Sequence, residues 1–299
     1  ADSTPRARRM PLAASSLASS LHHSFTLRSF ALRKVVARAH APRLAVARAM
    51  AFSADDSTPI VVADDFPSDA RLTYFGLPAL AEPVRALFVL SGKPWTDHRI
   101  KFPEWKETVK PKTKWGQIPV MTIPGDENEM TQSKAMHRLL ACKLSVGGAG
   151  ATPLYPAGTM QAYRIDEMID TFEDARMKIV PTFAIADQAE KEAARAALFV
   201  EGGAVHELLL KVEKHCGEFG RIVPTTDGSF TAADAWAHFF VCMHRSGSFD
   251  GIPADVVDAK TFPKLNAVVD AWGAIPALKK YYEGMVETGD ARYKAFAGQ

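Results

Sequence analysis

One tyrosine, Tyr74, lies at a point in the sequence where its hydroxyl could act on a bound molecule. It belongs to the segment RLTYFGLPALAEPVR (71–85), which reads as a short strand, a Gly-Leu-Pro turn and an apolar helix. Pro83 fits the start of that helix, because the first helical position needs no N–H donor. A tyrosine just before such a turn can aim its hydroxyl at a ligand across the top of the sheet. The pattern is also typical of an ordinary half-buried strand aromatic.

Two further motifs have the chemistry to bind a peptide-like ligand. Pro119 near the start of a strand predicts a cis Ile118–Pro119 bond that leaves backbone groups free, and a plain edge-strand proline is the alternative. Gln132-Ser133 leads into a helix whose free N–H groups and dipole would receive a carboxylate. A simple helix cap by Ser133 explains the second motif equally well.

The elements that must position these motifs follow the order strand, helix, strand, hairpin, helix. Residues 70–146 therefore form one small α/β domain, with the last helix expected over Ser133–Leu144. A Gly/Pro-rich connector over 146–158 marks a domain boundary. Its glycines precede no strand–helix turn, so it is not a phosphate-binding loop.

Residues 158–290 contain only helical patterns, which predicts an all-α second domain. Thr231 and Asp234 have the spacing of a capping box ahead of an apolar helix, and we interpret them as structural. The helical patterns cover Thr159–Val180, one long amphipathic run over Lys191–Cys216, the stretch after Thr231, Pro263–Trp272 and Pro276–Glu283.

The metal-binding and redox chemistry that the sequence could support is limited. Asp234, His238 and Cys242 recur one turn apart, a spacing that can hold a metal. No other ligands converge in the sequence and a core helix explains the row, so we predict no metal site. The three cysteines are scattered without a CxxC motif, which indicates a reducing compartment and argues against thioredoxin-type redox chemistry.

Charge is distributed unevenly along the 299 residues. Residues 1–54 carry nine Lys or Arg and one acid, a net charge of +8, so the remainder has a net charge of −6 within the total of +2. A mildly acidic globular part does not suggest a nucleic-acid partner. No apolar run approaches the roughly 18 residues that cross a bilayer, so no membrane insertion is expected.

The first 69 residues read as a leader rather than as part of a domain. Their first part is rich in Ala, Ser and Arg, the composition of an organellar transit peptide. A disordered basic tail, upstream sequence before Met50 and a nucleic-acid arm are the alternatives. Residues 55–69 are expected to be an unstructured polar linker. A transit peptide would direct the protein to the mitochondrial matrix or plastid stroma, and without one the protein would be cytoplasmic.

The motifs LTYF, AEPVR, the Trp105 loop, WGQIPV and TQS occur in an order and spacing that resemble a known family. Over about 75 residues they are similar to the N-terminal domain of a cytosolic-type, sigma-class-like glutathione transferase. That class includes glutathione-dependent prostaglandin D synthases. The resemblance implies a thioredoxin-like α/β domain followed by an all-α domain, paired as a homodimer.

The same resemblance implies roles for individual residues. Tyr74 would donate a hydrogen bond to the glutathione sulfur, and Asp170 would reach the amino group of the glutathione bound to the partner subunit. Phe75, Leu77, Phe172 and Met177 would line a second-substrate pocket between the domains, and burial in the core is the alternative for such apolar positions. The remaining glutathione contacts would come from Trp105 and Lys110 at the glycine end, Ile118 and Pro119 at the cysteinyl moiety, and Gln132 and Ser133 at the γ-glutamyl group.

The function implied is activation of glutathione, bound as a substrate, for attack on an apolar electrophile. A free thiol has a pKa near 8.5, and a donor aimed at the sulfur lowers that pKa while the tyrosine stays protonated. Leu80 departs from the family, since sigma-type enzymes usually carry a thiolate-stabilising arginine there. Arg85 is interpreted as structural. A glutathione-dependent isomerase or peroxidase, or a ligand-binding scaffold without catalysis, is the alternative.

Overall fold

The computed structural model describes residues 58–147 and 150–299, all of which belong to one compact unit. The predicted transit peptide lies within residues 1–57, which are outside this described part.

A mixed four-stranded sheet forms the centre of the N-terminal part. Its strands are β2 (Ala70–Phe75), β3 (Trp95–Ile100), β4 (Val120–Thr122) and β5 (Met130–Thr131). Their spatial order is β3-β2-β4-β5, with β2 parallel to β3 and antiparallel to β4. The parallel register pairs Tyr74 with Arg99, and the helix between the two strands provides the crossover that a parallel pair requires.

Part of the segment that we expected to be an unstructured linker is an ordered strand. β1 (Ile60–Val62) pairs antiparallel with β6 (Leu144–Val146). Phe66 is buried and packs edge-on against Phe88. The leader therefore does not extend to residue 69, because an apolar triplet and one aromatic within the polar stretch are enough to dock it.

The helices of the N-terminal part differ only slightly from expectation. α1 (Glu82–Ser91) has Pro83 in its first turn and ends at Gly92, whose φ of 61° is the left-handed cap conformation. α2 (Phe102–Glu104) is one short turn that continues as irregular helix to residue 112. α3 (Ser133–Ala141) ends before residue 144 because Leu144 already belongs to β6.

Every regular element described after residue 158 is helical, in agreement with the predicted all-α domain. Thr159 caps the first of these helices by accepting a hydrogen bond from the Ala162 N–H. The helices are α4 (Met160–Ile179), α5 (Gln188–Phe199), α6 (Ala204–Phe219), α7 (Ala232–Arg245), α8 (Pro263–Gly273) and α9 (Pro276–Glu287).

The prediction of one long amphipathic run over Lys191–Cys216 is wrong, because the chain forms two helices there. Gly202 has a φ of 79°, and Gly203 lies so close to the preceding helix that a Cβ would be 2.5 Å from the Ala197 carbonyl oxygen. Both α5 and α6 are amphipathic, so their hydrophobic periodicity reads as one continuous helix in the sequence, although the helical conformation is interrupted at Gly202 and Gly203.

The sheet and the helices are joined by buried contacts across the domain boundary. The Trp236 indole of α7 donates a hydrogen bond of 3.2 Å to Nδ1 of His137 in α3. α7 starts at the expected capping box, in which the Asp234 carboxylate accepts from the Thr231 N–H at 2.7 Å. Within the described residues, no helix is long and apolar enough to span a membrane.

Candidate functional site

Tyr74 lies near the end of β2, where the chain turns toward α1. Its side chain is buried, with 7 % of its surface exposed, and it lines a cavity. The Arg85 guanidinium lies over its ring at 5.8 Å and donates hydrogen bonds to the carbonyl oxygens of Phe75 and Leu77. Arg85 therefore has the structural role that we expected, because its hydrogen bonds hold the turn that follows Tyr74.

The Tyr74 phenol stays protonated at neutral pH. Burial raises its pKa above the ordinary value of 10, against the opposing effects of the Leu80 backbone hydrogen bond and of the Arg85 and Arg176 charges. A neutral phenol retains its O–H and can therefore donate a hydrogen bond to a neighbouring sulfur.

A polar cavity of about 510 Å³ opens along the sheet edge. It is lined by the six residues, besides Tyr74, that the resemblance implies for glutathione binding within a single subunit. Ile118–Pro119 is cis, as predicted, and lies on its wall. The six residues are Trp105, Lys110, Ile118, Pro119, Gln132 and Ser133.

The start of α3 differs from the expected Ser133 cap. Gln132 occupies the N-cap position with a φ of 67°, no side-chain cap hydrogen bond is made there, and Ser133 is the first helical residue. Non-glycine residues rarely adopt this left-handed conformation. Because both residues line the polar cavity, the N-terminus of α3 faces a possible ligand instead of being closed by its own side chain.

A second, largely apolar cavity of about 410 Å³ adjoins the first. Tyr74 and Leu77 line it, whereas Phe75 lines the polar cavity. Its other walls come mainly from the ends of α4 and α7, and Leu80 and Arg176 line both cavities. Tyr74 therefore faces the apolar chamber next to the polar one.

Two of the expected second-substrate residues do not line this apolar cavity. Phe172 is buried in the core, where its ring packs at 5.5 Å against Phe240, and Met177 is exposed next to Arg176. The periodicity of α4 shows which residues are apolar but not which of them meet α7 and which meet a cavity. The apolar lining comes instead from residues including Ile179, Phe183, Phe239, Phe240 and Met243.

Arg176 and Glu173 are site residues that the sequence reasoning missed. Arg176 Nε and Nη2 donate to the two Glu173 oxygens at 2.8 and 2.6 Å. The hydrogen bond to Arg176 lowers the pKa of the Glu173 carboxyl, and the hydrogen bond to Glu173 raises the pKa of Arg176. The i,i+3 spacing could have predicted the ion pair, but not its location at the junction of two cavities.

Asp170 lies on the same helix, outside the group of residues that form the two cavities. Its carboxylate accepts a hydrogen bond of 2.6 Å from Lys134, which does line the polar cavity. The Asp170 side chain is 58 % exposed, so it remains accessible to a ligand or to a second subunit.

The core-helix interpretation agrees with the burial of Asp234, His238 and Cys242 in α7. His238 stacks on Tyr282 at 5.3 Å, and burial lowers its pKa to about 3. In the described part of the chain, no group of three His, Cys, Asp or Glu side chains is arranged to hold a metal.

The fold and these two cavities define a class of protein. A thioredoxin-like domain whose cis-proline edge opens on a polar cavity, packed against an all-helical domain, with a tyrosine in the adjoining apolar cavity, is the arrangement of the cytosolic-type glutathione transferases.

Comparisons with known proteins agree with this class. Glutathione S-transferase S1 of Drosophila melanogaster is 30 % identical over 213 residues, which cover 71 % of this chain and 77 % of that protein. Hematopoietic prostaglandin D synthase of Gallus gallus is 28 % identical over 220 residues, 73 % of this chain and 97 % of that protein. The structure of prostaglandin synthase D of Nilaparvata lugens matches with a TM-score of 0.60 at 27 % identity, covering 73 % and 98 % of the two chains. No family model matches the sequence.

The chain belongs to the glutathione S-transferase family. The predicted sigma-class-like family, the two-part fold and the enzyme class of glutathione transferase are thereby confirmed.

Proposed function

We propose that the protein binds glutathione in the polar cavity and transfers its thiolate to an electrophile held in the apolar cavity. The observation that carries this proposal is that the six residues which the resemblance assigns to glutathione within one chain line one cavity, next to a second cavity that contains Tyr74. The polar chamber offers backbone and amide groups suited to a peptide. The apolar chamber offers aromatic and aliphatic surface suited to an uncharged organic molecule.

Tyr74 activates the thiol in this proposal. Only the thiolate is an effective nucleophile, and a hydrogen-bond donor directed at sulfur favours the charged form. The raised pKa of Tyr74 keeps its proton in place for this purpose. No general base is needed, because the thiol proton can leave to solvent before the electrophile reacts.

Arg176 takes over the electrostatic role that Leu80 cannot fill. Its guanidinium lines both cavities and acts on Tyr74 through its charge, so a sulfur beside Tyr74 would experience the same positive potential. The bidentate pair with Glu173 restrains the guanidinium but leaves the Nη1 atom outside that pair.

The decisive experiment compares wild type and Tyr74→Phe in the conjugation of glutathione to 1-chloro-2,4-dinitrobenzene. We expect kcat/KM to fall at least about tenfold in the variant, since a hydrogen bond to a charged group is worth about 1.5–3 kcal/mol. Isothermal titration calorimetry with glutathione provides the control that binding survives. Equal turnover of the two proteins would remove Tyr74 from the mechanism, and binding without turnover in wild type would favour the scaffold alternative.

We also propose a homodimer in which Asp170 reaches the glutathione bound to the partner subunit. Support comes from the exposure of Asp170 and from the exposed apolar side chains Leu139, Met160 and Tyr163 on α3 and α4. Asp170→Ala should raise KM for glutathione about tenfold, because a charge-assisted hydrogen bond is lost. Asp174→Ala, on the exposed side of the same helix, is the matched control. A monomeric mass by light scattering would contradict the dimer.

For localisation, we propose that the basic leader is a transit peptide. Its composition supports this reading. A fluorescent protein fused behind residues 1–57 should enter mitochondria or plastids, and diffuse cytoplasmic fluorescence would refute the proposal.

A further inference from the structure

The apolar cavity contains one polar group that the proposed chemistry does not use. His244, near the end of α7, is 3 % exposed and lines this cavity together with Tyr74. Its imidazole packs against Phe249, which stacks at 5.2 Å, and against Phe240 and Phe199. Aromatic rings therefore surround the imidazole at the wall of the cavity.

The protonation of this imidazole follows from its hydrogen bond. Nδ1 lies 2.6 Å from the Phe240 carbonyl oxygen, which can only accept, so Nδ1 carries a proton. Burial lowers the pKa of His244 to about 4, so the ring is neutral at pH 7 and carries no second proton. Nε2 is therefore a bare acceptor.

Nε2 is also unsatisfied. It is buried and has no hydrogen-bond partner within the described residues. The cationic neighbours in the cavity, Arg176 and Arg292, are donors only, and each is held by a carboxylate, Glu173 or Asp290. The Ser248 hydroxyl is 2.6 Å from the Ser246 hydroxyl. An unpaired buried acceptor is costly, and a ligand that donates to it removes that cost.

We propose that His244 selects second substrates that combine an apolar body with a hydrogen-bond donor, a hydroxyl or N–H group, which bonds Nε2. This inference extends the proposed function, because it specifies the chemical class of molecule for the cavity beside the thiol. A site built around a buried acceptor discriminates against analogues that lack the donor, since they leave the acceptor unpaired.

The test measures binding, so it does not depend on turnover. The full chain is saturated with S-methylglutathione, and the dissociation constants of 2-naphthol and 2-methylnaphthalene are measured by calorimetry at pH 7. The two ligands have similar shape and only the first has a donor. The ratio of the two constants is then compared between wild type and His244→Asn, in which the amide N–H still donates to Phe240 but no group replaces Nε2.

We expect the preference for 2-naphthol to fall about fivefold in His244→Asn, the value of one neutral hydrogen bond. Ser248→Ala is the matched control and should leave the ratio unchanged. An unchanged ratio in His244→Asn, loss of the ratio in Ser248→Ala, or failure of both ligands to bind would each overturn the inference.

A measurement on the wild type covers the case in which His244→Asn does not fold. The ¹⁵N resonance of Nε2 in ring-labelled protein should have the shift of an unprotonated nitrogen. It should move on addition of 2-naphthol and stay in place on addition of 2-methylnaphthalene. An identical response to both ligands would contradict the proposed bond. Absence of conjugation with every electrophile, together with intact 2-naphthol selectivity, would overturn the proposed function and leave this inference standing.

Discussion

Among single residues, the positions of Leu80 and Arg176 are the most consequential. Both line the junction between the two cavities, so the apolar residue in the β2–α1 turn lies next to a cation supplied by α4. A positive charge has the same effect on a nearby thiolate whichever element carries it, because the Coulomb energy depends on distance and environment alone. The departure at Leu80 is therefore compatible with thiol activation.

The corresponding prediction concerns the pKa of the bound thiol. Arg176→Leu should raise the thiol pKa of enzyme-bound glutathione by about one unit, because an opposite charge that favours the thiolate is removed. The pH profile of kcat/KM and the ultraviolet absorbance of the thiolate both measure it. Lys178→Leu removes an exposed cation two residues further along the chain and should leave the profile in place. The same profile in Arg176→Leu as in wild type would dismiss this role.

At the scale of elements, the break between α5 and α6 illustrates a limit of periodic patterns. Residues 200–203 separate two helices that share one apparent amphipathic stripe. The break depends on how closely Gly203 approaches the carbonyl groups at the end of α5. Close backbone approach requires glycine for a steric reason that leaves no trace in hydropathy.

Substitutions at two glycines test this interpretation in opposite directions. Gly203→Ala should destabilise the protein by about 1–3 kcal/mol, because its Cβ would overlap backbone atoms. Gly217→Ala, within α6, meets only ordinary contacts and should stabilise by about 0.5–1 kcal/mol through helix propensity. Urea unfolding of both variants measures the two values. Equal changes in unfolding free energy in the two variants would mean that steric overlap at position 203 does not explain the need for glycine there.

At the scale of the whole molecule, three buried histidines link stability to pH. Burial lowers the pKa of His137 and His238 to about 3 and that of His244 to about 4. The unfolded chain binds protons at these residues near pH 6.5, so it takes up more protons than the folded chain as the pH falls. The stability that these neutral histidines allow is therefore fully present above pH 6.5. The free energy of unfolding falls progressively as the pH drops from 6.5 toward 4 and below.

His238→Gln isolates one of these contributions. His238 lines neither cavity and stacks on Tyr282 in the helical core. Between pH 7 and pH 5 the variant should lose about 2 kcal/mol less unfolding free energy than wild type, since one proton-binding group of the unfolded state is gone. Urea denaturation at both pH values gives this difference directly. The same loss in both proteins would show that His238 titrates normally in the folded chain.

Local signals in the sequence determined a large part of this protein. Strands, caps and turns in the N-terminal part depend on short motifs such as the proline at the start of α1 and the glycine at its end. The polar-cavity residues from Trp105 to Ser133 lie within one short stretch of chain, in motifs whose order and spacing resemble a known family. That resemblance allowed the fold and the proposed glutathione-binding residues to be named before any coordinates.

Only the tertiary structure shows which residues line the apolar cavity. Phe172 and Met177 have suitable chemistry but face the core and solvent, whereas Arg176 and His244 reach the cavity from two different helices. Strand β1 docks onto β6 across more than eighty residues of chain. These features depend on the rotation and packing of helices far apart in sequence. A hydrophobic period indicates that a face is buried, and only packing determines which neighbour covers it.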